Sequence, residues 1–201
     1  DINVLITGES GTGKELVARA IHFNSNRASA PFIAVNCAAL SPELFQSQVF
    51  GHIRGAFTGA VSNHKGYLEQ ANGGTLFLDE VGAMPYNIQA KFLRAIETKQ
   101  FQRIGAEVNE TTDARIVSAT NSDLEQHIRE GAFRRDLYFR LNVVPIKMPS
   151  LVERREDIPL LASHFLAQWC DKHERDAAGF TAQAIEKLTW HDWPGNVREL
   201  R

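Results

Sequence analysis

Apolar, β-branched runs recur along the chain at Val4–Thr7, Phe32–Asn36, Thr75–Leu78, Ile116–Thr120 and Val143–Lys147, and each reads as a strand. Between them the period changes. In Lys14–Asn24 the apolar residues Leu16, Val17, Ala20 and Ile21 recur at helical spacing, and Pro42–Phe50, Pro85–Thr98 and Asp123–Glu130 also read as helices. Ser41-Pro42 opens one of them with a capping hydroxyl and a proline at the first helical position. Thr75–Leu78 is apolar without alternation, as a strand covered on both faces requires. Strands alternating with helices therefore predict an α/β fold, a five-stranded parallel sheet flanked by helices. After Pro149 the strand signals stop, and Ile158–His173, Thr181–His191 and Pro194–Leu200 read as three helices. The expected organisation is an α/β subdomain over residues 1–149 and a small helical subdomain over 150–201. Two stretches interrupt the alternation: Gly51–Gly66, and Phe101–Thr112 with polar, hairpin-like alternation.

Composition narrows the function classes. The 201 residues, 43% of them hydrophobic, are enough to bury a sizeable core. The formal charge is -2 with acids and bases interspersed, so no polybasic face announces nucleic acid. No run of about 18 apolar residues marks a membrane span, and the amino terminus is not signal-like. Cys37 and Cys170 lie far apart without metal-ligand spacing and read as reduced thiols of a cytoplasmic protein. The seven histidines form no ligand pair, and no structural metal is expected. Both ends read as cut: Asp1 stands almost on the first strand, and Arg201 falls inside a helical pattern.

The chemistry begins at Gly8-Glu9-Ser10-Gly11-Thr12-Gly13-Lys14, a phosphate-binding loop between a strand and a helix. Its glycines let successive N–H groups point at phosphate oxygens, the following helix contributes its positive end, and Lys14 adds a charge near the β and γ phosphates. Glu15 follows where most such loops carry a metal-binding hydroxyl. A carboxylate there suits the helix start rather than direct metal ligation, so magnesium must lean on phosphates, water and another acid. Gly73–Glu80 supplies it, because the strand ends in Asp79 and Glu80 at the edge where open α/β sheets bind ligands. Asp79 is the candidate for hydrated Mg2+ and Glu80 for polarising the attacking water.

The first interruption carries Gly55-Ala56-Phe57-Thr58-Gly59-Ala60. Composition alone favours Phe57 tucked into the core over Phe57 presented to a partner. Together, Gly8–Glu15, Gly55–Ala60, Gly73–Glu80, Ala119–Asn121, Phe133–Leu141 and Trp193–Leu200 resemble the central AAA+ domain of bacterial enhancer-binding proteins, the NtrC-like activators of sigma-54 RNA polymerase. The resemblance covers essentially the whole chain and reverses the reading of Phe57.

The resemblance implies a P-loop fold with a helical lid, ATP as substrate and Mg2+ as cofactor. It implies that Asn36 gates Glu80, that Thr120 and Asn121 form a first sensor, and that Arg198 reaches the nucleotide as a second. Arg134 and Arg140 match paired arginine fingers acting in a neighbouring subunit. From the residues alone, either arginine could instead pair on the surface with Asp136 or Glu130, Arg135 blurs the assignment, and Asn121 could cap a helix. Phe57 and Thr58 match the tip that contacts the sigma factor, Arg103-Ile104-Gly105 a second loop that assists it, and Glu69 an acid relaying nucleotide state. Ile53, Gln48 and Gln70 depart from the charged residues usual at their positions. The implied function is an ATPase that remodels the closed complex of the sigma-54 holoenzyme, working as a homo-oligomer, a hexameric ring, with promoter and enhancer DNA bound by a domain outside this sequence. A regulatory or assembly module without remodelling is the alternative, and intact Lys14, Asp79, Glu80, Arg134, Arg140 and Phe57-Thr58 favour the first.

Overall fold

The computed structural model describes residues 2–201. In chain order it forms β1 (Val4–Thr7), α1 (Lys14–Phe23), β2 (Phe32–Asn36), α2 (Pro42–Phe50), α3 (Tyr67–Gln70), β3 (Thr75–Asp79), α4 (Tyr86–Thr98), β4 (Gln100–Gln102), β5 (Asn109–Thr111), β6 (Arg115–Thr120), α5 (Leu124–Arg129), α6 (Arg135–Leu141), β7 (Val144–Lys147), α7 (Ile158–His173), α8 (Ala182–Trp190) and α9 (Asn196–Leu200). The main sheet runs β2-β3-β6-β1-β7, with parallel ladders joining its first four strands. Register sets Asn36 beside Asp79, and Thr7 beside Thr120, so the strand ends that carry chemistry finish level.

Inter-residue contacts divide the chain into two units. The first comprises the segment up to Thr7 with Glu15–Ile146, and the second Gly8–Lys14 with Lys147–Arg201. In the first unit, Leu5, Leu76, Leu78 and Ile116 from the sheet pack with Phe45 and Phe50 of α2, Ile88 and Phe92 of α4, and Leu137 of α6. Burying each such side chain stabilises the fold by about 1.5–3 kcal/mol, which is why the interior strand β3 tolerates no polar alternation. Local signals hold the helix starts: Ser41 Oγ accepts from Leu44 N ahead of Pro42, and Asp123 Oδ1 accepts from Glu125 N and Gln126 N. The second interruption is an antiparallel hairpin, β4 with β5.

In the second unit, α7 packs against α8 and α9. Thr181 Oγ1 caps α8 at Ala184 N, and Trp193 Nε1 donates to Leu188 O at 2.7 Å. The last helix starts at Asn196 rather than Pro194, because left-handed backbone at Trp193 and Asn196 (φ 45° and 52°) brackets Pro194-Gly195 and keeps those two residues in a turn. The short helices α3 and α6 are not marked by hydrophobic period, since four and seven residues are too few to display one.

Candidate functional site

The phosphate loop, part of the second unit, is shaped by glycine and held by other residues of that unit. Gly11 and Gly13 have φ of 80° and 99°, the left-handed region that glycine enters without strain. A Cβ at Gly11 would overlap the Gly195 carbonyl and come within 3.0 Å of Arg198 Cβ. Lys14 Nζ donates to Gly8 O at 2.8 Å and Glu9 O at 3.0 Å, and Thr12 Oγ1 donates to Glu9 O at 2.9 Å. Arg198 Nη1 donates to Ser10 Oγ at 3.1 Å, so two of the expected nucleotide residues meet. Two further residues, missed from the sequence, complete this shell. Buried Asn196 donates from Nδ2 to Glu9 Oε2 at 2.9 Å and Ser10 O at 3.1 Å, and Arg154 Nη2 donates to Thr12 O at 2.9 Å. The only sequence signal for Asn196 is its place after Pro194-Gly195, where an asparagine that accepts positive φ is at home. Glu15 stands in the first turn of α1, paired with Arg19 at 2.7 Å. A loop bent by positive-φ glycines, a lysine and a following helix fit a triphosphate.

The strand ends of the first unit carry the acids. Glu80 is left-handed (φ 51°, ψ 49°), a conformation costing a non-glycine residue about 1–2 kcal/mol. Such strain persists where surrounding structure enforces it, and it aims the side chain. Glu80 Oε2 accepts from Asn121 N at 3.2 Å, which joins the candidate base to the candidate sensor. Buried Thr120 accepts from Ser122 N through Oγ1 at 3.0 Å. Asn36 Oδ1 accepts from Ala38 N at 2.9 Å, capping the turn Cys37–Ala39. Glu80 is engaged with Asn121 and the Asn36 oxygen with its own turn, and among the described residues no hydrogen bond joins the Asn36 and Glu80 side chains. Burial, then the Asp79 and Glu80 carboxylates, push the Cys37 thiol far above its ordinary range. Among the described residues no three His, Cys, Asp or Glu side chains cluster as a metal cage. Asp79 and Glu80 at the end of β3 are a donor set of the kind Mg2+ takes, since it keeps its waters and uses one or two carboxylates with phosphate oxygens.

Arg134 immediately precedes α6 and holds Asp136 through two bonds, Nε to Oδ1 at 3.0 Å and Nη2 to Oδ2 at 2.7 Å. That is the surface pair its spacing allowed, and it draws the Asp136 carboxyl below its usual range. Arg140 and Arg135 are exposed on α6. Tyr86, Phe133, Arg134, Arg135, Asp136 and Phe139 line one open concavity of about 680 Å³.

The hexapeptide 55–60 is a tight turn, closed by Gly55 N to Ala60 O at 2.8 Å and Ala60 N to Phe57 O at 3.0 Å. Phe57 is 45% exposed, with its ring edge-on to His52 at 5.0 Å, so it does not enter the core as composition alone favoured. The turn is braced by the second loop: Ile53 N donates to Ile104 O, Ile104 N donates to Gly51 O, and a Cβ at Gly105 would stand 2.9 Å from Ala56 Cβ. Ile53 faces the same glycine, so an apolar contact occupies the position of the departed charge. Arg103 bridges Glu69 at 2.9 Å and Glu110 at 3.3 Å, and Glu69 also pairs with Lys65. Gln48 Oε1 meets His64 Nε2 at 3.1 Å, and Gln70 Nε2 donates to Lys65 O at 2.7 Å. Both departures are thus absorbed locally. Among the described residues no helix is long and apolar enough to cross a membrane.

Comparison with known proteins bears on the fold and the family. The family model of the sigma-54 interaction domain matches residues 1–147, and that of the AAA+ ATPase lid domain matches residues 152–201. Regulatory protein AtoC of Escherichia coli K12 is 54% identical over 198 residues, covering 98% of this chain and 43% of AtoC. Transcriptional regulatory protein ZraR of Salmonella typhimurium is 52% identical over 200 residues, covering all of this chain and 45% of ZraR. The crystal structure of NtrX from Brucella abortus in complex with ATP superposes with a TM-score of 0.92 at 44% identity, covering 99% of this chain and 43% of NtrX. The chain thus spans under half the length of these relatives.

Proposed function

This chain belongs to the family of sigma-54 interaction domains built on the AAA+ fold, and from that premise we propose that it hydrolyses ATP to remodel the closed promoter complex of sigma-54 RNA polymerase. Gly8–Lys14 cradles the triphosphate, with Arg198 and Asn196 holding the loop. Asp79 would hold Mg2+ through water, and the ion's contribution is to neutralise charge on the β and γ phosphate oxygens. Glu80 accepts a proton from the water that attacks the γ phosphorus as the bond to ADP breaks, with Asn121 orienting the carboxylate. Asn36 releases Ala38 N and donates its amide N–H to the Glu80 carboxylate with nucleotide state, and Thr120 senses the γ-phosphate. Arg134 and Arg140 act in the site of a neighbouring subunit, which requires a ring, proposed to be a hexamer. Promoter and enhancer DNA are reached through a domain outside this sequence, in the cytoplasm.

The observation that carries this reading is the exposed Phe57 on a closed glycine turn braced by a second loop. A large apolar side chain held at a tip, away from the core, is what a partner-binding anchor requires. The test is Phe57→Ala in the intact protein. ATP turnover should stay within about twofold of wild type, because no group at the phosphates changes, while sigma-54 binding and promoter opening should be lost. Promoter opening by that variant at the normal rate would overturn the reading.

A further inference from the structure

Gln89 is completely buried on α4, although its neighbours Ile88 and Phe92 make that face part of the apolar core. A buried amide is costly unless its polar atoms are satisfied, and here both N–H groups and the oxygen are used. Nε2 donates to Met84 O at 2.9 Å and to Ala132 O at 3.0 Å, and Oε1 accepts from Arg134 N at 2.8 Å. Met84 closes the turn Val81–Ala83 that Glu80 opens, and Arg134 is the residue from which α6 departs. The N–H groups of Ala132 and Phe133 are both taken by His127 O. Arg134 N is the next in line, and Gln89 supplies its acceptor. The Asp136 pair restrains the guanidinium at a surface where such pairs count for little. The buried amide therefore sets where the Arg134 side chain begins.

We propose that Gln89 is a positioning residue for Arg134, fixing through the Arg134 backbone the finger that this subunit lends to its neighbour. The proposal rests on the finger reading above, so its test must separate the two. A displacement of about 1 Å in a catalytic group can cost ~10²-fold in rate. Gln89→Met, nearly isosteric and apolar, leaves the three backbone groups without their partner. Alone, in the intact protein, it should bind ATP with wild-type affinity and hydrolyse it ~10²-fold more slowly.

The deciding measurement is turnover in equal mixtures of variant subunits. A Gln89→Met subunit keeps a working site of its own and lacks only a placed finger. Mixed with Glu80→Gln subunits, whose fingers are intact, it should regain turnover well above either variant alone. Mixed with Arg134→Ala subunits, it should regain none, since neither supplies a finger. The opposite pattern, rescue by Arg134→Ala and none by Glu80→Gln, would place the action of Gln89 in its own site and overturn the proposal, as would undiminished turnover by Gln89→Met alone. The control mixture, Arg134→Ala with Glu80→Gln, should regain turnover. Its failure would instead remove the finger reading, and the proposal with it. Should Gln89→Met not fold, Gln89→Asn keeps a buried amide but falls one carbon–carbon bond, ~1.5 Å, short of its partners, and the same mixtures decide.

Discussion

Glu80→Gln changes one charge and almost no volume, which lets stability and catalysis be separated by magnitude. The left-handed backbone at Glu80 strains glutamine as much as glutamate, so that cost cancels between the two proteins. The bond from Asn121 N to Oε2, 3.2 Å long, passes from a charged to a neutral acceptor. At that length and partial exposure the loss is about 1 kcal/mol at most, a fall of roughly 2–4 °C in melting temperature for a chain of this size. Removing a general base costs about 10²–10⁴-fold in rate, equivalent to ~3–5 kcal/mol on the barrier. The barrier should thus rise several times more than stability falls. Steady-state ATP turnover at saturating ATP, equilibrium nucleotide binding and thermal melting, read on the same preparation, test this. Turnover should collapse while affinity and melting stay near wild type. Turnover within about threefold of wild type would remove Glu80 from the role of base. A parallel loss of ATP affinity would show that Glu80 holds the ground state instead.

Two further outcomes follow from the geometry. Gly105→Ala places a Cβ at φ 80° within 2.9 Å of Ala56 Cβ and 3.1 Å of Ile53 Cγ1, so it should prise the two loops apart, weakening sigma-54 binding at unchanged ATP turnover. Unchanged binding would show that the second loop does not brace the Phe57 turn. Because Cys37 is buried, and burial raises its thiol pKa, iodoacetamide at pH ~8 should label half-buried Cys170 and spare Cys37 until the chain unfolds. Equal native-state labelling of the two would contradict the burial of Cys37.

The features legible in the sequence are those whose physics is local. A run such as Thr75–Leu78 needs only its own side chains to declare a doubly covered strand, and Ser41-Pro42 needs only its own turn to start a helix. Gly11 and Gly13 declare a phosphate loop because the positive φ they supply is a property of single residues. Gln89 and Asn196 were not legible. Except for Met84, their partners lie 43 to 45 residues from Gln89 and 45 to 187 from Asn196, and the apolar period around Gln89 does not say which groups its amide meets. Phe57 lay between these cases. Its composition pointed to the core, and only closure of the 55–60 turn and its bracing by Ile104 and Gly105 left the ring half in solvent. The amino-acid sequence by itself determined the order of the sheet strands and the longer helices, the phosphate loop and the acids at the strand end, because backbone preference and hydrophobic period act over a few residues. The tertiary structure alone decided that Glu80 meets Asn121, that Arg103 meets Glu69, and that a buried amide holds Arg134, because burial and hydrogen-bond partnership depend on segments the chain brings together from afar.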